Sequence, residues 1–277
     1  ILEGTPVVVG SPDHQAAGIG AGAVRDFDPH LYVGTSSWIQ CTVPFKKTDM
    51  LHSIASFPTA IPGRYQSANE QDMAGGVLAH FAAQFMPRPN EDGGPGDVYR
   101  EMDALAARSK PGSADLIFLP WLNGERTPVD DPRLRGGLLN LSVTSTREDI
   151  VRSLMEGVAY NTRWSLGYVD RFAGRRLDPI NIVGGGARSD VWCRIFADVL
   201  GRTLRRVEKP VTANARGAAY IAAVGLGYLR FEDIPGLTRF DRVFEPDTTL
   251  FPLYDRLFRE FLNCHKANKS IFHRMNH

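Results

Sequence analysis

Three stretches of this chain carry residue types able to handle a phosphate group or a proton. The first is Val183-Gly184-Gly185-Gly186-Ala187-Arg188-Ser189-Asp190. Glycines remove the Cβ, so a ring face or a phosphate can approach the backbone, and a helix starting behind them offers free N–H groups to an anion. Three glycines serve equally well in an ordinary strand-to-helix turn. The second is Gly34-Thr35-Ser36-Ser37, a tip of small hydroxyl residues. Such a tip can present N–H and O–H donors to phosphate oxygens, or be a plain turn. The third is Asp13, a carboxylate opening a run of very small residues. It is a candidate general base, or simply the N-cap of a helix, since Asp is a preferred capping residue.

The elements that must position these groups alternate between strand and helix. Residues 6–10 read as a buried strand and 11–13 as a turn, followed by a helix of small residues over 14–24. Residues 31–43 read as a hairpin whose turn is Gly34–Ser37. Residues 46–66, with Pro58, Pro62 and Gly63, read as irregular, with short strands near the ends. Helices follow over 72–85 and 97–108, separated by a surface loop at 87–96. A buried strand at 116–119 leads into Pro120-Trp121-Leu122-Asn123-Gly124-Glu125-Arg126-Thr127-Pro128. The longest helix covers 146–172, capped by Ser145 or Thr146, with Glu148 and Asp149 in its first turn. A strand at 177–183 feeds the three glycines, and an amphipathic helix at 190–200 leaves them. A strand at 203–207, a helix at 213–224 and a polar amphipathic helix at 252–272 complete an α/β pattern, most simply one domain over 1–277.

Composition narrows the function classes. The chain has 277 residues, 43% hydrophobic and 23% charged, enough apolar material for a sizeable core. A formal net charge of +1 lacks the basic stripe that a nucleic-acid surface needs. No apolar run reaches the ~18 residues that would suggest a membrane span. The three cysteines are distant from one another and form no CxxC pair, which suits a reducing, cytoplasmic setting better than a disulfide or zinc framework. The opening residues run straight into a strand-like stretch with no leader, the reading expected of a fragment.

Several catalytic signatures are missing. There is no GxxxxGK[ST], HExxH, GxSxG or HRD/DFG pair. A dinucleotide-binding oxidoreductase domain competes, because Gly184-x-Gly186-x-x-Ser189 follows a strand and Glu208 ends the next one. Ser at the last position, where Gly or Ala is needed for close packing, argues against it. It also leaves Asp13 and Gly34-Thr35 idle.

Taken in order, the segments resemble the FGGY family of carbohydrate kinases, within the actin-like ATPase superfamily. The resemblance rests on Gly10-Ser-Pro-Asp13-His-Gln-Ala-Ala-Gly18, Gly34-Thr35-Ser36, Asn123-Gly124-Glu125-Arg126-Thr127-Pro128, Arg135-Gly136, the glycine stretch with Trp192 and Ala197-Asp198, and Ala215-Arg216-Gly217-Ala218-Ala219. LNGERTP and GGGARSDVW look most like the xylulokinase branch. The resemblance implies a ribonuclease H-like fold, the C-terminal domain of a two-domain kinase whose N-terminal domain is absent from this chain. It implies ATP-dependent phosphorylation of a sugar or polyol, with Asp13 as base. Gly34, Thr35 and Ser36 would meet the β/γ-phosphates, and Gly185, Gly186 and Asp190 the adenosine. Mg²⁺ would be held mainly by phosphates and water, reaching Asp13 at most through water. The partners implied are the sugar, the N-terminal domain and a second copy in a homodimer. A non-catalytic actin-like module, using nucleotide for switching, is the alternative. Asn140, Arg194 and Thr212 depart from the family pattern and bear on the sugar more than on the fold.

Overall fold

In the computed structural model, residues 2–86 and 95–276 are described. The chain builds one large mixed sheet of eight strands in the order β10-β9-β8-β1-β2-β5-β4-β3, and a separate pair, β6-β7. The strands are β1 (Pro29–Val33), β2 (Ser37–Val43), β3 (Thr48–Asp49), β4 (Ile54–Pro58), β5 (Tyr65–Ala68), β6 (Ile117–Leu119), β7 (Gly137–Leu139), β8 (Ile180–Val183), β9 (Leu204–Val207) and β10 (Phe240–Phe244). The helices are α1 (Asp13–Gly20), α2 (Gly75–Phe85), α3 (Pro95–Arg108), α4 (Arg147–Ala173), α5 (Asp190–Leu200), α6 (Ala213–Gly225), α7 (Ile234–Leu237) and α8 (Phe251–Met275).

At the centre, β1, β8 and β9 run parallel, while β2, β5, β4 and β3 continue antiparallel. Strands covered on both faces are largely apolar, with buried polar residues only where they find partners or a site. Accordingly Leu31, Val33, Ile39, Cys41, Ile180, Ile182 and Val183 are all fully buried. This mixed topology removes the dinucleotide reading, which needs an open sheet of mostly parallel strands.

Helix α4 is the spine of one face. Thr146 and Asp149 form its capping box, and it ends at Gly174, whose φ of 72° only glycine adopts without strain. Val151, Leu154, Met155, Val158, Leu166 and Phe172 bury its inner stripe. Gly157 lets it sit directly on β6, since a Cβ there would stand 2.4 Å from the Phe118 carbonyl oxygen.

Three expectations change. Residues 6–10 are extended but belong to no strand; Val7 and Val9 are 86% and 89% exposed, so the apolar run finds no sheet to join among the described residues. The stretch 46–66 is an ordered meander, β3-β4-β5, because Pro58 ends β4 and Pro62-Gly63 lies in the connection to β5. Strands β7 and β10 were not expected at all. Of the anticipated loop at 87–96, residues 87–94 lie outside the described residues, and Pro95 and Gly96 already belong to α3. Among the described residues no helix is long and apolar enough to cross a membrane. Burial pushes the Cys41 and Cys193 thiols up to about 11 and about 12, so both are unreactive packing groups.

Candidate active site

Strands β1 and β8 are parallel neighbours, with Tyr32 opposite Val183. Their C-terminal ends therefore release the hydroxyl tip and the glycine turn side by side. In α/β sheets this is the edge where ligands bind. Val33 joins the two: a Cβ on Gly184 would come within 2.5 Å of its carbonyl oxygen.

The hairpin tip is held from behind by α2. The N–H groups of Ala74, Gly75 and Gly76 bond to the carbonyls of Thr35 (2.8 Å), Gly34 (2.8 Å) and Thr35 (3.0 Å). Gly75 makes this approach possible, since a Cβ there would lie 2.5 Å from the Gly34 oxygen. These bonds satisfy the helix's orphan donors. They use carbonyls of the tip, so the N–H groups of Thr35 and Ser36 stay available to an anion; Thr35 is exposed and Ser36 partly so.

The three glycines divide their work. Gly184 has φ +96° and packs against the Val33 backbone. A Cβ on Gly186 would meet Val33 Cγ1 at 2.5 Å and the Trp192 ring at 3.0 Å, so its side-chain direction faces the core. Gly185 alone faces open space, with nothing within 4 Å of a Cβ. It is the place where a ring or ribose can lie on the backbone. Ser189 caps α5 by accepting from Trp192 N (3.0 Å) and donates to Asp103 (2.7 Å), which explains a serine at that position. Asp190 is not free: one oxygen takes Arg206 Nη1 at 2.6 Å, and the other takes Arg242.

Asp13 is the first residue of α1, not its cap. Pro12 holds the cap position, and the Asp13 carboxylate accepts only the next backbone N–H, that of His14, at 2.8 Å. Its side chain is 74% exposed. The helix behind it is fixed by unusually close packing. Gly18 rests on His30 and Gln66, while Gly20 and Gly217 let α1 and α6 touch backbone to backbone; a Cβ on either would fall within 2 Å of Ala213 or Ala16 carbonyl oxygens (1.9 and 1.8 Å). Arg216, from the Ala-Arg-Gly-Ala-Ala stretch, donates Nε to Gly20 O at 2.9 Å and so caps α1 at its far end.

Asp13 and Ser36 line one open cavity of about 420 Å³. Trp38 and Gln40 of β2, Asn69, Glu70 and Arg126 complete most of its wall. Trp38 stacks on Tyr32 at 4.1 Å and donates Nε1 to His30 Nε2 at 3.2 Å. Burial takes His30 down to about 3, so its ring is neutral, with the proton on Nδ1. Two lining residues carry a buried atom without a protein partner, His14 Nε2 and Gln40 Oε1; His30 Nδ1 and Gln66 Oε1, likewise unpartnered, belong to residues packed beneath Gly18 of α1. Buried polar atoms are nearly always satisfied, by protein or by water, so the base of this cavity suits a polar ligand or bound water.

The Gly124–Pro128 stretch turns out to build the opposite wall. Glu125, 2% exposed, accepts from Arg126 N (2.9 Å), Asp72 N (3.2 Å) and Asn161 Nδ2. Burial nevertheless pushes its carboxyl up to about 8. Arg126 in turn pairs with Glu70 and with Asp72 (3.0 Å). Residue types alone gave no sign that Trp38, Gln40 and Arg126 share a cavity with Asp13, because strand pairing and a long loop bring them together. Among the described residues no group of three or more His, Cys, Asp or Glu is placed to hold a metal ion. Of the three departures from pattern, Asn140 takes φ +65°, which an asparagine tolerates, and Arg194 bonds to Glu245 O. Thr212 bonds Oγ1 to Lys209 O at 2.9 Å.

The mixed sheet, with a phosphate-type hairpin and a glycine turn on one edge, defines an α/β domain of the ribonuclease H-like, actin-like ATPase class. The pattern of the C-terminal domain of the FGGY family of carbohydrate kinases matches residues 31–226, and the chain belongs to that family. Xylulose kinase from Staphylococcus epidermidis is 30% identical over 96% of this chain and 52% of its own length. Gluconokinase from Bacillus subtilis is 28% identical over 70% of this chain and 38% of its own. The crystal structure of xylulose kinase from Rhodospirillum rubrum superposes with a TM-score of 0.85 at 31% identity, covering 99% of this chain and 54% of that one. The chain thus spans about half the length of the curated xylulose kinases it matches.

Proposed function

We propose that this chain is the nucleotide-binding half, carrying the catalytic base, of an ATP-dependent carbohydrate kinase that acts on a ketopentose or related polyol. The observation that carries the reading is that Asp13 and Ser36 share a cavity, while the tip holding Ser36 adjoins the glycine turn through Val33. In this reading a base, a phosphate cradle and an open backbone face follow one another along one edge.

ATP, with Mg²⁺, would supply the phosphoryl group and neutralise its charge. The residues present fit it. Gly185 offers a face that a Cβ would fill, and the N–H and hydroxyl donors of Thr35 and Ser36 would meet phosphate oxygens, while Gly34 N–H bonds to Ser36 O (2.9 Å) and holds the tip in shape. With no cluster of metal-ligating side chains among the described residues, Mg²⁺ would rest on phosphates and water, as its hard, hydrated character favours. Asp190 serves the adenosine side through the turn it anchors, since both its oxygens are occupied by arginines.

Asp13 would accept the proton of the attacking sugar hydroxyl. Phosphoryl transfer needs little more covalent help than that; most of its rate comes from holding the reactants in line. Trp38 supplies an apolar wall, and the unpartnered amide oxygen of Gln40 suits a hydroxyl donor, while Asn69 is engaged with the Ile39 backbone. The cavity is open on the side away from the sheet, which suits an opposing N-terminal domain that closes over sugar and phosphate and excludes water. A second copy of the chain in a homodimer belongs to the same reading.

A non-catalytic actin-like module has no need of an exposed carboxylate lining a polar cavity beside the phosphate hairpin. The test is turnover, with the separately expressed N-terminal half of a xylulose kinase relative supplied to this chain. Asp13→Asn should lower kcat ~10²–10⁴-fold with KM for ATP little changed. Asn keeps the size of the side chain and an oxygen to accept the His14 N–H, so full activity in that variant would leave Asp13 as a helix-terminal residue and nothing more.

A further inference from the structure

The turn that carries Gly185 is fastened at both ends by its own neighbours: Gly184 N bonds to Pro210 O (3.0 Å), and Ser189 bonds to Asp103. Its middle depends on an arginine from another strand. Arg206 of β9 stands opposite Ile182 of β8 and reaches over the sheet edge. Its Nη1 donates to Ala187 O at 3.3 Å and to Asp190 Oδ1 at 2.6 Å, and its Nε donates to Asp241 Oδ1 at 2.8 Å. Among the described residues, Ala187 O otherwise meets the Cys193 thiol at 3.5 Å, a weak donor. Arg242 of β10 takes the second oxygen of Asp190, and both guanidinium groups lie over the buried Phe244 ring, at 5.8 and 5.2 Å.

Exposed ion pairs contribute little, but this one is shielded. The Arg206 side chain is 14% exposed, and its planar fork engages three acceptors at once, which fixes direction as well as charge. A lysine could match the charge but not the fork.

We propose that Arg206 is a positioning residue for the nucleotide: it holds the Ala187 carbonyl and Asp190 so that the turn keeps the space over Gly185 open. The inference rests on the reading that the adenosine lies there. It also gives Asp190 its task, which is to tie α5 to β9 and β10 rather than to touch the ribose.

The test uses the 277-residue chain itself, with ADP as the probe. Arg206→Met keeps an apolar stem on Phe244, and Arg206→Lys keeps the charge. Titration calorimetry should show ADP affinity about tenfold weaker in Arg206→Met, the scale of one lost charge-assisted hydrogen bond, with partial recovery in Arg206→Lys. Amide exchange in the ligand-free chain should quicken over residues 184–190 and stay unchanged in α4. Unchanged affinity and unchanged exchange, beside a wild type that binds ADP, overturns the inference alone. Weaker affinity without faster exchange would make Arg206 a direct ligand and overturn the positioning role. A wild type that binds no ADP removes the nucleotide reading itself, and this role with it.

Discussion

Val33 and Gly186 are in contact across the only direction a side chain at 186 could take. A Cβ there would stand 2.5 Å from Val33 Cγ1 and 3.0 Å from the Trp192 ring, both buried. Neighbouring Gly185 has nothing within 4 Å. Two adjacent glycines thus differ in surroundings, one facing the core and one facing open space.

Substitution should separate them. Gly186→Leu must displace Val33 or Trp192, and overpacking of that kind costs about 1–3 kcal/mol or more. It should lower the urea midpoint and loosen the turn. Gly185→Val should leave unfolding nearly unchanged, because its side chain enters open space, while abolishing ADP binding. Calorimetry and urea unfolding on both variants check this. Normal ADP affinity in a folded Gly185→Val chain would take the adenosine away from this face.

The placement of Asp13 depends on a contact one turn away. Gly217 lets α6 touch α1 at Ala16, and a methyl at 217 would lie 1.8 Å from the Ala16 oxygen. Backbone cannot yield as a flexible side chain does. Gly217→Ala should therefore cost about 2–3 kcal/mol and, in the reconstituted kinase, lower kcat by shifting α1. Wild-type stability in that variant, measured by urea unfolding, would contradict the close helix packing.

Stability should pass through a maximum near pH 6.5. Burial lowers His30 from its ordinary 6.5 to about 3 and His265 to about 4. The unfolded chain therefore binds more protons below pH 6.5, and stability falls as pH drops through that range. Glu125 runs the other way. Burial raises it from 4.5 to about 8, so the folded chain holds its proton longer, and stability declines as pH rises from 4.5 towards 8. Below 6.5 His30 and His265, joined by His14, which burial also lowers, work against Glu125 and against Asp28, Asp72, Asp103 and Asp198, whose carboxyls burial raises. Above 6.5 the largest shift still acting is that of Glu125. Each net proton sets a slope of about 1.4 kcal/mol per pH unit, before any offset from partial ionisation. Urea unfolding between pH 5 and 8.5 should show this maximum. Glu125→Gln should be less stable throughout yet lose the alkaline decline; an unchanged alkaline limb would clear Glu125 of that role.

Much of this arrangement was legible in residue order. Helices α4, α5 and α6, strands β1, β2, β8 and β9, and the two phosphate-type turns were marked by apolar periodicity and by small residues at turns. Other parts were hidden for physical reasons. The segment Phe240-Asp241-Arg242-Val243-Phe244 is mostly exposed and pairs only with β9, so its strand character comes from that neighbour. Pro58, Pro62 and Gly63 suggested an irregular stretch with short strands only near its ends, whereas they merely end one strand and turn to the next. Pro6–Val9 has the composition of a strand but no partner to make it one. The family resemblance implies a role for Asp190 at the adenosine, but only the fold shows that Arg206 and Arg242 hold it. The cavity wall opposite Asp13 was out of reach, because Glu125 joins Asp72, Arg126 and Asn161 from three separate parts of the chain.

The most direct test of the account asks where the nucleotide sits. Amide chemical shifts of the isotope-labelled chain, recorded as ADP and Mg²⁺ are added, report every backbone position at once. The account predicts that the largest changes fall on Gly34–Ser36 and Gly185–Ser189, the ends of β1 and β8, with smaller ones at Asp13 and His14. Saturable changes confined to any other surface, with these two turns silent, would contradict it.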